Sequence, residues 1–248
     1  MVPRRGGAHL TRRLKTLDRV LSKAGAGSRV DAAGWVRAGR VKVNGRIVRD
    51  PDHWVDMERD LVRLDGKPLE PRARIYLLLY KPTGYLTTYR DPQGRPTVYD
   101  LIADVGTFVS PVGRLDLDTS GLLLLTNDNQ LAERVTNPDS HVPKTYLVKA
   151  STRLSDEQLQ QLRDGIALAD GQTRPAQVTR VRDSAKYTHF EITITEGRNR
   201  QVRRMVEALG AKVLKLVRVQ LGAIRIGTLP IGKWRHLTDA EVRQLGRG

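Results

Sequence analysis

A run of four leucines at residues 122–125 most strongly constrains what this chain can fold into. An uninterrupted apolar segment of this length predicts a buried strand. The loop directly before it, residues 113–121, reads Gly-Arg-Leu-Asp-Leu-Asp-Thr-Ser-Gly and places Arg114 two positions before Asp116. Because a loop anchored on a buried strand can hold a reactive side chain rigidly, Asp116 is a candidate catalytic acid. On residue types alone, an Arg114–Asp116 ion pair that stiffens the loop explains the same pattern.

The charge of the chain indicates its class of partner. The sequence has 43 Lys and Arg against 27 Asp and Glu, a formal net charge of +16. This excess indicates a polyanion, with nucleic acid as the first candidate. A membrane is disfavoured because no apolar run reaches the roughly 18 residues of a spanning helix. DNA is disfavoured because no helix is a convincing major-groove reader. No signal-peptide segment follows the basic first residues, which favours a cytoplasmic protein.

Several kinds of chemistry are absent from the sequence. The chain has no cysteine, which excludes disulfides, thiolate nucleophiles and cysteine-ligated zinc. Its five histidines are scattered without the close spacing of metal ligands on one helix, so we expect no metal site. No Ser-His-Asp pattern, phosphate-binding glycine loop or dinucleotide fingerprint is present. The acid of the 113–121 loop is therefore the leading candidate for chemistry.

A small module is predicted at residues 16–66. Its pattern is a short helix, a second helix that begins with the capping box of Ser28 and Asp31, and a hairpin whose turn is the Asn-Gly pair at 44–45. Ahead of the module, residues 1–15 carry five basic side chains and no acid, which predicts a basic flexible arm. After it, residues 67–74 contain two prolines and predict a linker.

Arginines are concentrated in this first part of the chain. Residues 1–75 carry 18 basic and 9 acidic side chains, and Arg29, Arg37 and Arg40 lie at or beyond the ends of the second helix. These arginines are candidate RNA contacts, although a solvated basic face explains them as well. The segments Gly-x-x-Ser-Arg before that helix and Ala-Gly-Arg-Val-x-Val-Asn-Gly after it resemble the alpha-L RNA-binding domain first named in ribosomal small-subunit protein four.

Residues 75–248 combine strand-like and helix-like segments without regular β-α order. Residues 188–195 alternate strictly between apolar and polar side chains, and residues 213–221 predict a further strand. A helix is predicted from Ser155 onwards. This mixture predicts an α+β fold, with a mixed, mainly antiparallel β-sheet and flanking helices.

Three arginines are predicted at the start of a helix that follows the 188–195 strand. Its apolar stripe contains Val202 and Met205, so we expect Arg200, Arg203 and Arg204 on the helix surface outside that stripe. Cations at this end oppose the helix dipole, so a nearby anion is needed, and a phosphate or Asp116 would serve. A solvated basic helix face is the alternative.

Tyr146 lies in a predicted strand at residues 144–148. Its ring could stack on a base extruded from RNA. On residue type alone, a single strand tyrosine is more often a core residue.

Five segments stand in an order that is shared with one family. They are Lys81-Pro82-x-Gly84, Asp91-Pro92-x-Gly94-Arg95-Pro96-Thr97-Val98, Gly113-Arg114-Leu115-Asp116, Lys144-x-Tyr146 and Glu196-Gly197-Arg198-Asn199-Arg200-Gln201-Val202-Arg203-Arg204-Met205. From about residue 16 to residue 238, the chain resembles ribosomal RNA pseudouridine synthases of the RsuA/RluB family. The second segment and the Asn199-Arg200 pair are more similar to the large-subunit RluB branch.

This resemblance implies an enzyme that isomerises a uridine of ribosomal RNA and needs neither metal nor cofactor. The similarity to the large-subunit branch implies 23S rRNA as its substrate. It implies that Asp116 is the essential acid, acting on the anomeric carbon, on carbon 6 of the base or on a sugar proton. Arg203 would be its guanidinium partner, and Tyr146 would stack on the flipped uracil.

The resemblance also assigns the remaining basic residues. Arg114 would line the space around the extruded nucleotide, while Arg200, Arg204 and the arginines of the first module would contact the RNA backbone. We expect a monomer. The competing interpretation is a non-catalytic RNA-binding factor in ribosome assembly.

Overall fold

The computed structural model describes residues 14–70 and 73–245, so most of the arm predicted at residues 1–15 lies outside the described residues. The chain divides into two compact units, Met1–Ala73 and Arg74–Gly248. In the described part, no helix is both long enough and apolar enough to cross a membrane.

The first unit contains two helices and two small sheets. The sheets have the strand orders β3-β2-β5-β6 and β1-β4 within these elements: β1 (Leu14–Thr16), α1 (Leu17–Lys23), α2 (Arg29–Arg37), β2 (Val41–Val43), β3 (Arg46–Ile47), β4 (Trp54–Asp56), β5 (Val62–Leu64) and β6 (Lys67–Pro68). Apolar side chains from both helices and from the strands form one core, with Leu17, Leu21, Val36, Val41 and Val55 fully buried.

Local signals explain the turns of this unit. The Ser28 side chain accepts a hydrogen bond from the amide of Asp31 at 3.1 Å, which confirms the predicted cap of α2. Asn44 and Gly45 have φ of 49° and 82°, which confirms the type I′ turn between β2 and β3. A second turn, at 65–66, returns the chain as β6 beside β5, so the sheet extends into the segment that the prolines assigned to a linker.

The second unit is built on a large sheet with helices packed against it. Its elements are β7 (Tyr76–Lys81), β8 (Ser110–Pro111), β9 (Ser120–Thr126), α3 (Asn129–Thr136), β10 (Lys144–Ala150), α4 (Asp156–Asp164), β11 (Ala167–Leu168), β12 (Gly171–Gln172), β13 (Gln177–Asp183), β14 (Thr188–Ile194), α5 (Gln201–Ala208), β15 (Val213–Leu221), β16 (Ile224–Arg225), β17 (Trp234–His236) and α6 (Asp239–Leu245), with short 3-10 helices at Ala103–Val105 and Pro138–Ser140.

The large sheet has the strand order β13-β14-β10-β15-β9-β7-β17. Its strand pairs are antiparallel except for β9 with β15, which are parallel. Every residue of β9 is buried, as the leucine run predicts. The α+β class with a mixed, mainly antiparallel sheet is therefore confirmed.

Two features of this sheet position the functional residues. Helices α4 and α5 cover one face, where Leu159 and Met205 pack with Phe190 of β14. The parallel contact between β9 and β15 pairs Ser120 with Val217 and Gly121 with Arg218. Gly121 has φ of 113°, and a Cβ on it would overlap the backbone of Arg218. Glycine at this position therefore lets the two strands meet directly behind the 113–119 loop.

Candidate active site

The loop that carries Asp116 is held from below by a buried lysine. Lys81, the last residue of β7, is fully buried. Its Nζ donates hydrogen bonds to three carbonyl oxygens, those of Asp116 at 2.9 Å, Thr119 at 2.8 Å and Pro82 at 3.1 Å. The amide of Thr119 in turn donates to the Asp116 carbonyl at 3.1 Å, which closes a turn. The backbone around Asp116 is thus fixed while its side chain stays 36% exposed.

The electrostatic state of Lys81 follows from this position. Burial lowers the pKa of Lys81 to about 8, although the negative charges of Asp116 and Asp118 act in the opposite direction. Sequence reasoning quoted this lysine as part of a motif but gave it no role. The available signal was a lysine that ends an otherwise apolar strand, because a charge in such a place needs a specific partner.

The partner of Asp116 differs from the expected one. Arg203 does not reach the Asp116 carboxylate within 4 Å; its guanidinium lies 3.3 Å from the Asp118 carboxylate and donates to the carbonyls of Asp118 at 2.8 Å and Val213 at 3.2 Å. Arg200 is the arginine near the acid, 3.8 Å from Asp116 Oδ2. The Arg203–Asp116 ion pair is not formed because the Arg203 side chain turns under the loop, with only 9% of it exposed; a catalytic role of Arg203 stays a prediction.

Asp118 is the acid that joins these arginines. It accepts a bidentate interaction from Arg200, with both distances 3.1 Å, as well as the contact from Arg203. Burial alone would raise the pKa of Asp118, but the hydrogen bonds from Arg200 and the positive charges of Arg203 and Arg200 outweigh it and lower the pKa. The sequence offered no reason to prefer this acid.

The arginines at the start of α5 lie beside carboxylates, as expected for cations at this end of a helix. Arg200, with φ of 47°, caps the helix, and Arg204 makes a bidentate contact with Asp170 at 2.8 and 3.0 Å. The predicted surface position is wrong for Arg203, which is buried. RNA contacts of Arg200 and Arg204 stay predictions. Carboxylates thus neutralise the unfavourable end of the helix dipole.

A cleft of about 820 Å³ opens over the loop. Arg114, Asp116 and Tyr146 line it together with Arg200 from α5, so these predicted residues meet in one place. Arg114 is exposed and Tyr146 is half-buried, with part of its ring against the core. The cleft therefore brings a carboxylate, an aromatic ring and two guanidinium groups to one concave surface.

Four further cations line the cleft, Lys144, Arg174, Arg198 and Arg218, and sequence reasoning assigned none of them a role as a cleft residue. Arg218 of β15 is buried; its Nε donates to the Leu122 carbonyl at 2.8 Å, while one terminal nitrogen has no hydrogen-bond partner. Burial, and to a smaller extent the charge of Arg218, lower the pKa of Lys144. These groups make the wall of the cleft suited to an anion.

The arginines predicted in the first unit lie on its surface. Arg29 pairs with the buried carboxylate of Asp18 at 2.6 Å, and Arg40 pairs with Asp65 at 2.6 Å. Arg37, in the last turn of α2, is exposed. All three retain exposed surface for an anionic partner. Within residues 14–70 and 73–245, no group of three or more metal-ligating side chains is placed to hold a metal ion.

Comparison with known families agrees with both units. Residues 75–208 match the family described as RNA pseudouridylate synthase, and residues 15–62 match the S4 domain. The chain belongs to the RNA pseudouridylate synthase family, and it is an enzyme of the RNA pseudouridine synthase type with an S4 RNA-binding domain. Its partner is therefore RNA.

Individual relatives are similar over almost the whole chain. An uncharacterized RNA pseudouridine synthase of Aquifex aeolicus (strain VF5) is 44% identical over 92% of each chain. Ribosomal large subunit pseudouridine synthase B of Bacillus subtilis (strain 168) is 39% identical over 94% of this chain and 96% of its own. A crystal structure of pseudouridylate synthase superposes with a TM-score of 0.66 at 32% identity, over 93% of this chain and 99% of the other.

Proposed function

We propose that this enzyme isomerises a uridine in the ribosomal RNA of the large subunit, with Asp116 as the catalytic acid. The carboxylate of Asp116 lies in the cleft, on a loop whose backbone is held by Lys81 and Arg203. The similarity to large-subunit pseudouridine synthase B supports the choice of RNA. The observation that carries the assignment is this rigidly held carboxylate beside Arg200.

The reaction rearranges one nucleotide without redox change. The bond between the ribose anomeric carbon and N1 of uracil breaks, the base turns, and a bond forms from the same carbon to C5. The proton of C5 leaves and N1 gains one, so atoms and charge balance. No metal or cofactor has a part in this scheme. Asp116 is the group that acts on the reacting nucleotide, and the loop geometry holds it in place for every step.

The other residues bind and orient the RNA. A uridine extruded from the stack needs a surface for its base, and the exposed part of the Tyr146 ring supplies that surface. Stacking of the base on the ring contributes about 1 to 3 kcal/mol to binding. Three cations of the cleft, Arg114, Lys144 and Arg218, contact the phosphates and the sugar of the flipped nucleotide. Arg29, Arg37 and Arg40 of the S4 domain hold the RNA backbone elsewhere, which makes binding strongly dependent on salt.

The setting of the enzyme follows from its substrate. We propose that a monomer is the active form. Ribosomal RNA as substrate supports a cytoplasmic location.

The test removes the charge of the acid and keeps its shape. Asp116→Asn should abolish pseudouridine formation in an unmodified 23S rRNA transcript, while RNA affinity stays within about twofold of wild type. The matched control is Glu133→Gln, which changes an exposed carboxylate of α3 and should leave turnover unchanged. Turnover by the Asp116→Asn enzyme at the wild-type rate would refute the assignment.

A second experiment, in cells, tests the competing function. A non-catalytic assembly factor would bind ribosomal RNA equally well. Ribosomal RNA from a strain that lacks this gene should then contain every pseudouridine of the parent strain. We expect one or more sites to be missing, and restored by the wild-type gene but not by the Asp116→Asn gene.

A further inference from the structure

The sheet of the second unit has a charged face opposite the one that α4 and α5 cover. Phe190 of β14 and Val148 of β10 are fully buried in the core beneath these helices. Because side chains alternate between the two faces of a strand, the adjacent residues His189 and Lys149 point to the opposite face. Both are half-buried, so this face is accessible at that level of the sheet.

Strand register places four basic residues in one line across this face. Arg182 of β13 is directly opposite His189, His189 is opposite Lys149, and Lys149 is opposite Lys215 of β15. Arg182 and Lys215 are exposed. We refer to Arg182, His189, Lys149 and Lys215 as the basic row.

The described residues form no ion pair with the basic row, although the charge of Asp183 acts on His189. Like charges directly opposite each other on adjacent strands are destabilising. Among residues 14–70 and 73–245, no acid lies within 4 Å of the charged atoms of the row, and the nearby Asp183 is already paired with Arg180 at 2.8 Å. Partial burial and the positive charges of Arg182 and Lys149 lower the pKa of His189.

Two further features concern the side chains of the row, a cation–π contact of Lys149 and an unpartnered ring nitrogen of His189. The ammonium of Lys149 lies 4.2 Å from the ring centroid of Tyr187, a cation–π contact that leaves its hydrogen-bond donors available. The Nδ1 atom of His189 is shielded from solvent and has no hydrogen-bond partner in the described part of the chain. The row thus makes no ion pair within the described part of the chain, and the Lys149 ammonium is held against the Tyr187 ring.

A groove of about 740 Å³ lies on the same face, four residues farther along the strands. Its floor is another cross-strand line, made of neutral polar side chains: Gln177, Thr193, Thr145 and Gln220. The exposed carboxylate of Glu191 lies between this line and the basic row, and Arg225 also lines the groove. The hydroxyls of Thr145 and Thr193 are 2.8 Å apart. At about 3.4 Å per residue, this line is roughly 14 Å from the basic row.

We propose that this face binds a second segment of the substrate RNA, away from the target nucleotide. Phosphates would lie on the basic row, while sugar hydroxyls and base edges would lie on the hydroxyls and amides of the groove. An acidic protein fits less well, because the cores of protein interfaces are rich in aromatic side chains, whereas the described residues that line this groove include apolar Val219 and Ile226 but no aromatic ring. The inference rests on the proposed function only for the identity of the RNA.

The test compares two double variants that remove the same charge. Lys149→Gln with Lys215→Gln alters the basic row, and Lys233→Gln with Arg243→Gln alters exposed basic residues beside or after β17, at the opposite edge of the sheet. Binding of each full-length protein to an unmodified 23S rRNA transcript is measured from low to high salt. Circular dichroism and thermal unfolding establish that both variants are folded.

Each phosphate contact adds about 0.7 to 0.9 to the slope of log affinity against log salt. We expect the basic-row variant to lower that slope by about 1.4 to 1.8, and the control variant to match wild type. Equal slopes for both variants would overturn the proposal, including the case in which this face serves an acidic protein. Because binding does not require turnover, wild-type protein that binds but forms no pseudouridine would refute only the proposed function.

Discussion

Two clusters of basic side chains in the second unit have opposite surroundings. At the start of α5, Arg200 and Arg203 share the carboxylate of Asp118, and Arg204 pairs with Asp170. In the basic row, Lys149 and Lys215 face each other across two strands with no acid within 4 Å in the described part of the chain. Both clusters are basic, although one is all arginine and the other is mostly lysine and histidine, and only the first has carboxylate partners.

This difference separates two uses of positive charge. A guanidinium whose donors are occupied by carboxylates and carbonyls holds backbone and side chains in a fixed geometry. A cation without a counter-charge is left to bind an external anion. The α5 cluster therefore holds the loop that carries the proposed catalytic acid, and the basic row is the proposed binding surface. Variants in the first cluster should change kcat, whereas variants in the second should change affinity and its salt dependence.

The largest expected effect is at Arg203. Arg203→Met removes a buried guanidinium and leaves the carbonyls of Asp118 and Val213 without their donor. Breaking a buried charged contact costs about 3 kcal/mol of unfolding free energy. A comparable loss of transition-state stabilisation lowers kcat by about 100-fold. Urea unfolding and single-turnover kinetics measure the two quantities. A change in RNA affinity with unchanged kcat would break the comparison.

A smaller effect is expected at Asp118. Asp118→Ala frees Arg200 from its bidentate partner, so the guanidinium beside Asp116 loses its position. Charge-assisted hydrogen bonds contribute about 1.5 kcal/mol, which corresponds to roughly tenfold in kcat. Asp118→Asn keeps an acceptor oxygen and should recover most of the rate. If both variants have the wild-type kcat, Asp118 does not position Arg200.

The smallest expected effect is a pH dependence that arises from Lys81. This residue extends the comparison to a cation whose partners are carbonyl oxygens and not carboxylates. The pKa of Lys81 is about 8 in the folded protein and near the usual 10.5 when unfolded. The unfolded chain then binds more protons between these values, so this group makes unfolding free energy rise with pH there.

Activity should change in the other direction. Deprotonation of Lys81 removes one of its three donors, worth about 1 kcal/mol, and kcat falls roughly fivefold as the pH passes 8. The Lys81→Met enzyme should be slower and lack this decline. A wild-type kcat that is constant from pH 7 to 9 would show that the proton of Lys81 does not hold the loop.

Elements with local signals could be predicted from the sequence. The leucine run gave a buried strand, the cap at Ser155 gave α4, and the apolar segment at 213–221 gave β15 with the observed ends. Each of these depends on side chains within a few residues of one another. Local features made Asp116 and Tyr146 separate candidates, and only motif order indicated that they act together, because no local rule brings them into one cleft.

The ion-pair partners could not be predicted. Arg200 and Asp118 are 82 positions apart, and their contact depends on how α5 packs against β15, the neighbour of β9 in the sheet. Helical periodicity placed Arg203 outside the apolar stripe, but not under a loop that arrives from another part of the sheet. The strand at Lys67–Pro68 was missed because proline suggests a linker, whereas an edge strand tolerates it.

The glycine at position 121 has a consequence for anyone who alters this enzyme. Gly121 touches no substrate group, yet any side chain there would force β9 away from Arg218 of β15. The loop with Asp116 is attached to β9, while Tyr146 is on β10, the neighbour of β15. Widening this one junction would separate Asp116 from Tyr146, the ring proposed to receive the base. The distance between Asp116 and Tyr146 therefore depends on the lack of a Cβ atom at Gly121.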